Sequence, residues 1–552
     1  MKIKITIESR DYSKYFIECL DKDQEDVKID LMENKIFSRD VININENGAI
    51  QILESPVRSS EHVGILQLDS NKTYGRTENK KRLLYRCIPY NKELPDFLIP
   101  YEINLGFCKS ISNKYVVFKV NDWTNKHPLG TLVETIGDVD DMASFCEYQL
   151  LCKKLVFPMK HITNIAKIWS RENYLDKYIT ENSKNLVDRR NENVFTIDPK
   201  GSRDLDDAFS VQEMENGKKR ISIHIANVVA ILEWMNAWNN LGNRVSTIYL
   251  PDRIRPMLPK NISEDLCSLL KGQDRIAFTM DVFVDSSDKI CEQETEFSNT
   301  IINVRKNYDY EDAKLESDPS YSYLKKMSKM ENSHDVVEFW MTYMNAVCAE
   351  KLKARKSGIF RSVKYIDKAK IKKICDSEYE TIMNQWKNVH SQYVWFNTSI
   401  EHEIMDKSEY IHITSPIRRL IDVINQILFL HVIMNVELSN DALRFVEEWK
   451  SKLGFVNDSM KSIRKIQNEC HLLHKIQSNE ELSNRTYEGI LFDKMEKNGV
   501  FKYTVYLKEL NCISFMKCNQ DLIFDNYRVV KCKIFLFENE SHTKKKIRVN
   551  IM

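Results

Sequence analysis

The sequence predicts an α+β multidomain protein in which small β-barrels flank a central domain of mixed strands and helices. Three observations carry that prediction. Short stretches alternating apolar and polar residues, bounded by Gly, Pro and Asn, fill both ends of the 552-residue chain. In the middle, β-prone runs give way to long segments with a helical period. Finally, the helix-rich stretch 141–190 separates the first β-rich region from the middle as a linker would. The expected organisation is a barrel over 1–62, a second over 63–152, a large domain with its helical linker and helical end over 153–480, and a last barrel over 485–552.

Residues 2–7, KIKITI, and Val41-Ile42-Asn43-Ile44 alternate as half-buried strands do. The second barrel contains YVVFKVNDWTNKHPLG, where Trp123 is expected in the core, because large aromatics usually pack. In the central region Ile221 to Val228 forms a buried strand. Residues 332–353 place apolar side chains at 336, 337, 340, 343, 344 and 347, one face of a helix. The apolar run Val423–Val436 is interrupted by Asn425, Gln426 and His431 and is too short to span a bilayer. Near the end, YEGILFDKMEKNGVFKYTVYL forms two strands about an Asn498-Gly499 turn.

The stretch with the most chemistry is 195–209, FTIDPKGSRDLDDAF, with four aspartates in fifteen positions. A strand ends near Asp198, Pro199, Gly201 and Ser202 make a turn, and the chain returns with Asp204, Asp206 and Asp207. Carboxylates brought together repel, so some hold protons or a cation sits among them. An acidic surface turn would carry the same residues, whereas a calcium loop needs a different spacing and a distal Glu. Oxygen ligands of this kind favour Mg²⁺, with Mn²⁺ as a substitute. Two such ions about 3.5–4 Å apart would clamp both oxygens of a phosphoryl displacement.

Composition narrows the classes. Lys plus Arg is 81 and Asp plus Glu 80, so no global charge marks a polyanion-binding protein, and a nucleic-acid site must be local. The thirteen cysteines contain no CxxC pair, and the start MKIKITIE is a strand rather than a leader, so a reducing, intracellular and soluble setting is expected, cytoplasmic before nuclear. Cys470, His471 and His474 lie on a helix without a fourth zinc ligand. No membrane and no nucleotide cofactor are expected; protein partners are not legible.

The spacing TID-x5-D-L-DDA resembles the signature of the ribonuclease II/ribonuclease R (RNB) family, which includes the exosome's catalytic subunit. The resemblance extends to Tyr249-Leu250-Pro251, Pro256 to Pro259, Leu266-Cys267-Ser268-Leu269 and Tyr410 to Arg419. It implies cold-shock-like OB barrels at 1–62 and 63–152, an RNB domain at 153–480, and an S1-like barrel at 485–552, with no counterpart of the subunit's amino-terminal endonuclease domain. It further implies a Mg²⁺-dependent 3′–5′ exoribonuclease releasing nucleoside 5′-monophosphates from single-stranded RNA. Asp198, Asp204, Asp206 and Asp207 would hold metal, with Asp206 catalytic. Arg418 would meet the scissile phosphate, since a guanidinium binds two phosphate oxygens while always charged. Tyr249 would stack on the terminal base and Glu469 would lie near the terminal sugar. Tyr308, Phe360 and Arg361 would line the RNA path, and the run Lys544 to Arg548 would follow a phosphate backbone.

The sequence departs from the family at Asn227, where an aspartate is usual, and around His402, where Glu401 and Glu403 replace glycines. Those departures keep a second expectation alive, an RNA-binding protein of this fold with impaired catalysis. A phosphodiesterase acting on another substrate is a third, disfavoured by OB-like barrels on both sides.

Overall fold

The computed structural model describes the chain except residues 22–28, 71, 104–110, 170–173, 366–388, 399, 480, 483, 484, 498, 511, 523–527 and 539–544. Two positions singled out above, Asn498 and Lys544, lie outside the described residues. The chain divides into two compact units, one of residues 1–156, 250–253 and 465–552, the other of 157–249 and 254–464.

The first unit is built of β-sheets. Strands Lys2–Ile7, Tyr15–Cys19, Val41–Ile44 and Ile50–Glu54 form a four-stranded antiparallel sheet. Its first strand keeps the predicted alternation: Ile3, Ile5 and Ile7 are fully buried, and Lys4 and Thr6 between them are not. Strands Glu61–Leu66, Leu83–Pro89, Phe97–Tyr101, Lys114–Asp122 and Leu129–Asp138 close into a barrel. Closure is tight at Gly64, where an added Cβ would sit 2.9 Å from Cys87 Sγ and from the Ile88 carbonyl. Trp123 packs in a core shared by sheet and barrel, 4.6 Å from Phe37 between ring centroids, so its core assignment holds. Five antiparallel strands between Thr486 and Ile551 make a further sheet with its own core.

In the second unit, strands β1 (Val194–Asp198), β2 (Asp207–Glu213), β3 (Lys219–Ala226), β4 (Asp274–Val284) and β5 (Glu296–Asp309) are neighbours in that order. β5 runs parallel to β1 and antiparallel to β4, so the sheet returns on itself. These strands are buried on both faces: Ile221, Ile223 and Ile225 of β3 are apolar, while the alternate residues Ser222 and His224 are buried and polar, His224 bonding to Ser210 of β2 at 3.1 Å and Thr279 of β4 at 2.9 Å. Helices α1 (Val228–Trp234), α2 (Ser333–Ala354), α3 (Leu420–Val432) and α4 (Leu453–Gln477) and the hairpin β6 (Ile359–Tyr365)–β7 (Val389–Trp395) complete the parts used below.

The polar breaks in the α3 run have a structural cause. Asn425 and Gln426 are fully buried. Asn425 accepts from Ile359 N–H at 2.9 Å and donates to the carbonyls of Ile359 and His412, both at 2.9 Å. Gln426 donates to the Ala226 carbonyl at 3.1 Å. Two amides thus tie the helix to the hairpin and to the end of β3, satisfying backbone groups that strands leave open where they stop.

Candidate active site

The aspartate loop is shaped by its own turn and by a clamp from a distant segment. Ser202 N–H donates to the Pro199 carbonyl at 3.0 Å, and Gly201 has φ +82°, a left-handed conformation that suits glycine. Ser268 holds the returning strand: its hydroxyl donates to the Arg203 carbonyl at 2.7 Å and accepts from Leu205 N–H at 3.1 Å. Leu269 N–H adds a bond to the Leu205 carbonyl at 3.1 Å. This is the physical content of Leu266 to Leu269, which the sequence shows only as a motif.

Asp206 is the most constrained carboxylate, 3% exposed. One oxygen accepts from Ile417 N–H at 2.8 Å and the other faces Arg418 Nε at 3.2 Å. Burial pushes its pKa up to about 7, while the Arg418 charge and the Ile417 bond pull it down. Burial likewise lifts Asp198 to about 6, against the Thr196 hydrogen bond and Arg418; Asp204 and Asp309 add repulsion. Asp207 is raised by burial and by its neighbours Asp198 and Asp206. Asp204 is half-buried and accepts from the Tyr249 hydroxyl at 3.0 Å.

The Arg418 and Tyr249 segments are joined by their backbones. Thr247 N–H and the Ser246 hydroxyl donate to the Arg418 carbonyl at 2.9 and 3.0 Å, and Leu420 N–H donates to the Val245 carbonyl at 3.0 Å. Arg418 keeps a half-exposed side chain and donates to Ser415 Oγ at 3.1 Å. Its neighbour Arg419 is turned to the fully buried Asp422, at 2.9 Å.

Do these residues fit a metal? Among the described residues no three His, Cys, Asp or Glu side chains form a ready-made cage. Yet Asp198 Oδ2 and Asp207 Oδ2 are buried without a hydrogen-bond partner, two orphaned acceptors in a cluster whose charges repel. A hard dication is the group that would satisfy both, and Mg²⁺ is commonly held by one or two carboxylates with water and phosphate completing its shell. The residues fit.

The structure thus brings together Asp198, Asp204, Asp206, Asp207, Tyr249 and Arg418. Other expected site residues fall elsewhere. Tyr308 is 4% exposed, packs edge-on against Phe195 and donates to Asp318 at 2.9 Å, so it belongs to the core rather than to a channel. Phe360 is fully buried in the β6–β7 hairpin, which corrects its assignment to the RNA path. Arg361 lies over the Tyr393 ring, 4.8 Å from its centroid. Glu469 is exposed on α4, in the other compact unit. His402 is buried, its pKa pulled to about 4 by burial and Arg361, and it accepts from Met405 N–H at 3.3 Å. Asn227, the departure from the family, caps α1 by accepting from Ala230 N–H at 2.9 Å, a task aspartate would also perform.

Sequence reasoning missed Tyr310. Its N–H donates to the Asp198 carbonyl at 3.1 Å, and its ring stacks on His334 at 3.7 Å between centroids. Burial and the charges of Asp207 and Asp198 raise its pKa to about 12, which places it beside the carboxylates.

Strand-borne carboxylates facing a loop arginine, in a chain that also forms a closed five-stranded barrel, are the features an RNB-type protein combines. The RNB domain model matches residues 186–320 and 314–435, and the Dis3-like cold-shock domain 2 (CSD2) model matches 84–151. The chain thus carries an RNB domain over residues 186–435 and a Dis3-like cold-shock domain over 84–151. Ribonuclease R of Ureaplasma parvum is 30% identical over 198 residues, 36% of this chain and 27% of that protein. The alignment thus spans about a quarter of that curated relative. Among solved structures, Mycoplasma genitalium RNase R in complex with ribose-methylated single-stranded RNA superposes over 100% of both chains with TM-score 0.72 at 16% identity. Yeast Ssd1, a pseudonuclease, covers 93% of this chain and 78% of its own with TM-score 0.59 at 14% identity. At such identities the likeness is one of fold.

Proposed function

We propose that the chain is a Mg²⁺-dependent hydrolytic exoribonuclease that degrades single-stranded RNA from the 3′ end to nucleoside 5′-monophosphates. The observation that carries this reading is the Asp206–Arg418 pair beside the orphaned oxygens of Asp198 and Asp207. Asp198 and Asp207, with Asp206 and Asp204 next to them, would hold Mg²⁺, which when bound supplies positive charge to activate water and to neutralise the phosphate. Arg418, half-exposed and anchored by Asp206 and Ser415, meets the scissile phosphate with a fixed charge in a preorganised position. Tyr249, braced by Asp204, holds the terminal base so that one phosphodiester at a time lies over the carboxylates.

The test is purified protein with 5′-end-labelled single-stranded RNA, with Mg²⁺ or with EDTA. Progressive shortening with Mg²⁺ alone, with mononucleotides released, is the expected result; an intact substrate overturns it. A second reading, an RNA-binding protein without catalysis, is favoured by the likeness of fold to a pseudonuclease and by the absence of a closed carboxylate cage among the described residues. It predicts RNA retention on a filter with no shortening under either condition.

A further inference from the structure

The β6–β7 hairpin carries a cationic face that the reaction above does not use. Tyr393 on β7 is 3% exposed, its hydroxyl 2.8 Å from His412 Nδ1, and the Arg361 guanidinium lies over its ring. Two residues along the strand, hence on the same face, Trp395 is half-buried with Lys450 Nζ 4.5 Å above its ring. Helix α4 is fastened to this strand by Asn457, which accepts from Tyr393 N–H at 2.7 Å and donates to the Tyr393 carbonyl at 3.0 Å. Lys461 and Arg464 follow Asn457 at i+4 and i+7, on the same side of the helix, and both are exposed.

Among the described residues two carboxylates near this face have cationic partners, although Asp422 keeps its Oδ2 without a hydrogen bond. Asp422 pairs with Arg419, and Glu447 pairs with Lys450 at 3.2 Å. Asp458 stands one position beyond Asn457, about 100° around the helix. Among the described residues Arg361, Lys461 and Arg464 form no ion pair, and Arg419 Nε is buried without a partner. Burial holds the Arg361 pKa below its ordinary value, and the charges of Arg464 and Arg419 act in the same direction. Cations gathered without counter-charge are costly unless an anion joins them.

We propose that this face is a second phosphate-binding site, which takes an internucleotide phosphate of a single strand between Arg361 and Arg464 and offers the Trp395 ring to a base. The inference rests on the RNA reading above and deepens it. A partly exposed aromatic ring beside clustered cations is the kind of surface that binds single-stranded nucleic acid. The position of the face supports an upstream phosphate of the same strand: Arg419, at its edge, adjoins Arg418 in the chain, and the two side chains turn to different carboxylates.

The experiment uses the full chain in EDTA, so that RNA stays intact, and the variant Arg464→Ala, whose exposed side chain leaves the core untouched. Affinity for a single-stranded oligoribonucleotide is measured across salt concentrations. It is then measured with a neutral methylphosphonate placed at each linkage in turn. Wild-type protein should lose roughly tenfold affinity at one internal linkage upstream of the 3′ end, the size expected for one charged contact. In Arg464→Ala that linkage should become silent, and the salt slope should fall by about 0.7, one phosphate on a single strand. An unchanged slope and an unchanged linkage profile in the variant overturn the site alone. Wild-type protein that binds no RNA overturns the RNA reading and this site with it.

Discussion

Asp206 is the residue on which the site turns, because a backbone N–H and a guanidinium each hold one oxygen of its buried carboxylate. Asp206→Asn keeps an acceptor for Ile417 N–H but removes the charge facing Arg418 and the neighbouring cation position. Single-turnover hydrolysis should fall at least about 100-fold, by analogy with loss of one preorganised electrostatic group, while filter binding of RNA persists. A wild-type rate would remove Asp206 from the chemistry. The raised carboxylates also predict a pH signature. Between the ordinary aspartate pKa and about 7, the folded protein holds a proton on Asp206 that the unfolded chain has released, so this group's contribution to stability falls as pH rises. A dication replaces that proton. Mg²⁺ should therefore raise the thermal midpoint more at pH 8 than at pH 5.5; reading the difference with and without Mg²⁺ cancels groups of opposite sign such as buried His224, whose pKa burial lowers to about 3. Equal Mg²⁺ shifts at both pH values would argue against metal at these carboxylates. The aspartates were legible because their spacing is local. Tyr308 and Tyr310 were not separable, since an alternating pattern gives no face when both faces of a strand are covered, and Tyr310 stands just past the end of β5.

At the scale of elements, the site depends on contacts that no local pattern reveals. Ser268 and the aspartate loop are far apart in sequence, yet one hydroxyl serves both Arg203 and Leu205. Ser268→Ala leaves the buried Leu205 N–H and the part-buried Arg203 carbonyl short of a partner, a loss of about 1–3 kcal/mol. Urea unfolding should show that loss, and Mg²⁺ affinity should weaken as the loop relaxes; a stability change without a change in Mg²⁺ affinity would mean the clamp does not position the carboxylates. Asn425 and Gln426 make the same point from the other side. In the sequence they only interrupt an apolar run, and their use as bonds to β3 and the hairpin required the tertiary structure. The long helix α2 and the alternating amino-terminal strand were legible, because apolar periodicity reports burial directly.

For the whole molecule, the carboxyl-terminal sheet is expected to matter for long substrates and little for short ones. The basic run expected to follow a backbone is partly committed to structure: Lys545 donates to the Val139 carbonyl at 2.9 Å and to Asp140 at 3.0 Å, within the same unit. Cations set over aromatic rings remain on the sheet, with Lys502 Nζ 3.7 Å from the Phe515 centroid and the Arg548 guanidinium 3.5 Å from that of Phe537. Such pairs add phosphate neutralisation, whose contribution falls steeply with salt. Removing residues 485–552 should weaken binding to a long RNA and flatten its salt dependence, while a short oligonucleotide that reaches only the carboxylate site is still cleaved. The sheet's core also includes Ile476 of α4, so the truncated protein's melting curve is measured in parallel to confirm that the other unit still unfolds cooperatively. Affinities for two RNA lengths at two salt concentrations, in both proteins, decide the matter. Equal losses at both lengths would reduce the carboxyl-terminal sheet to a structural support, because a lost phosphate path must weaken the longer strand more.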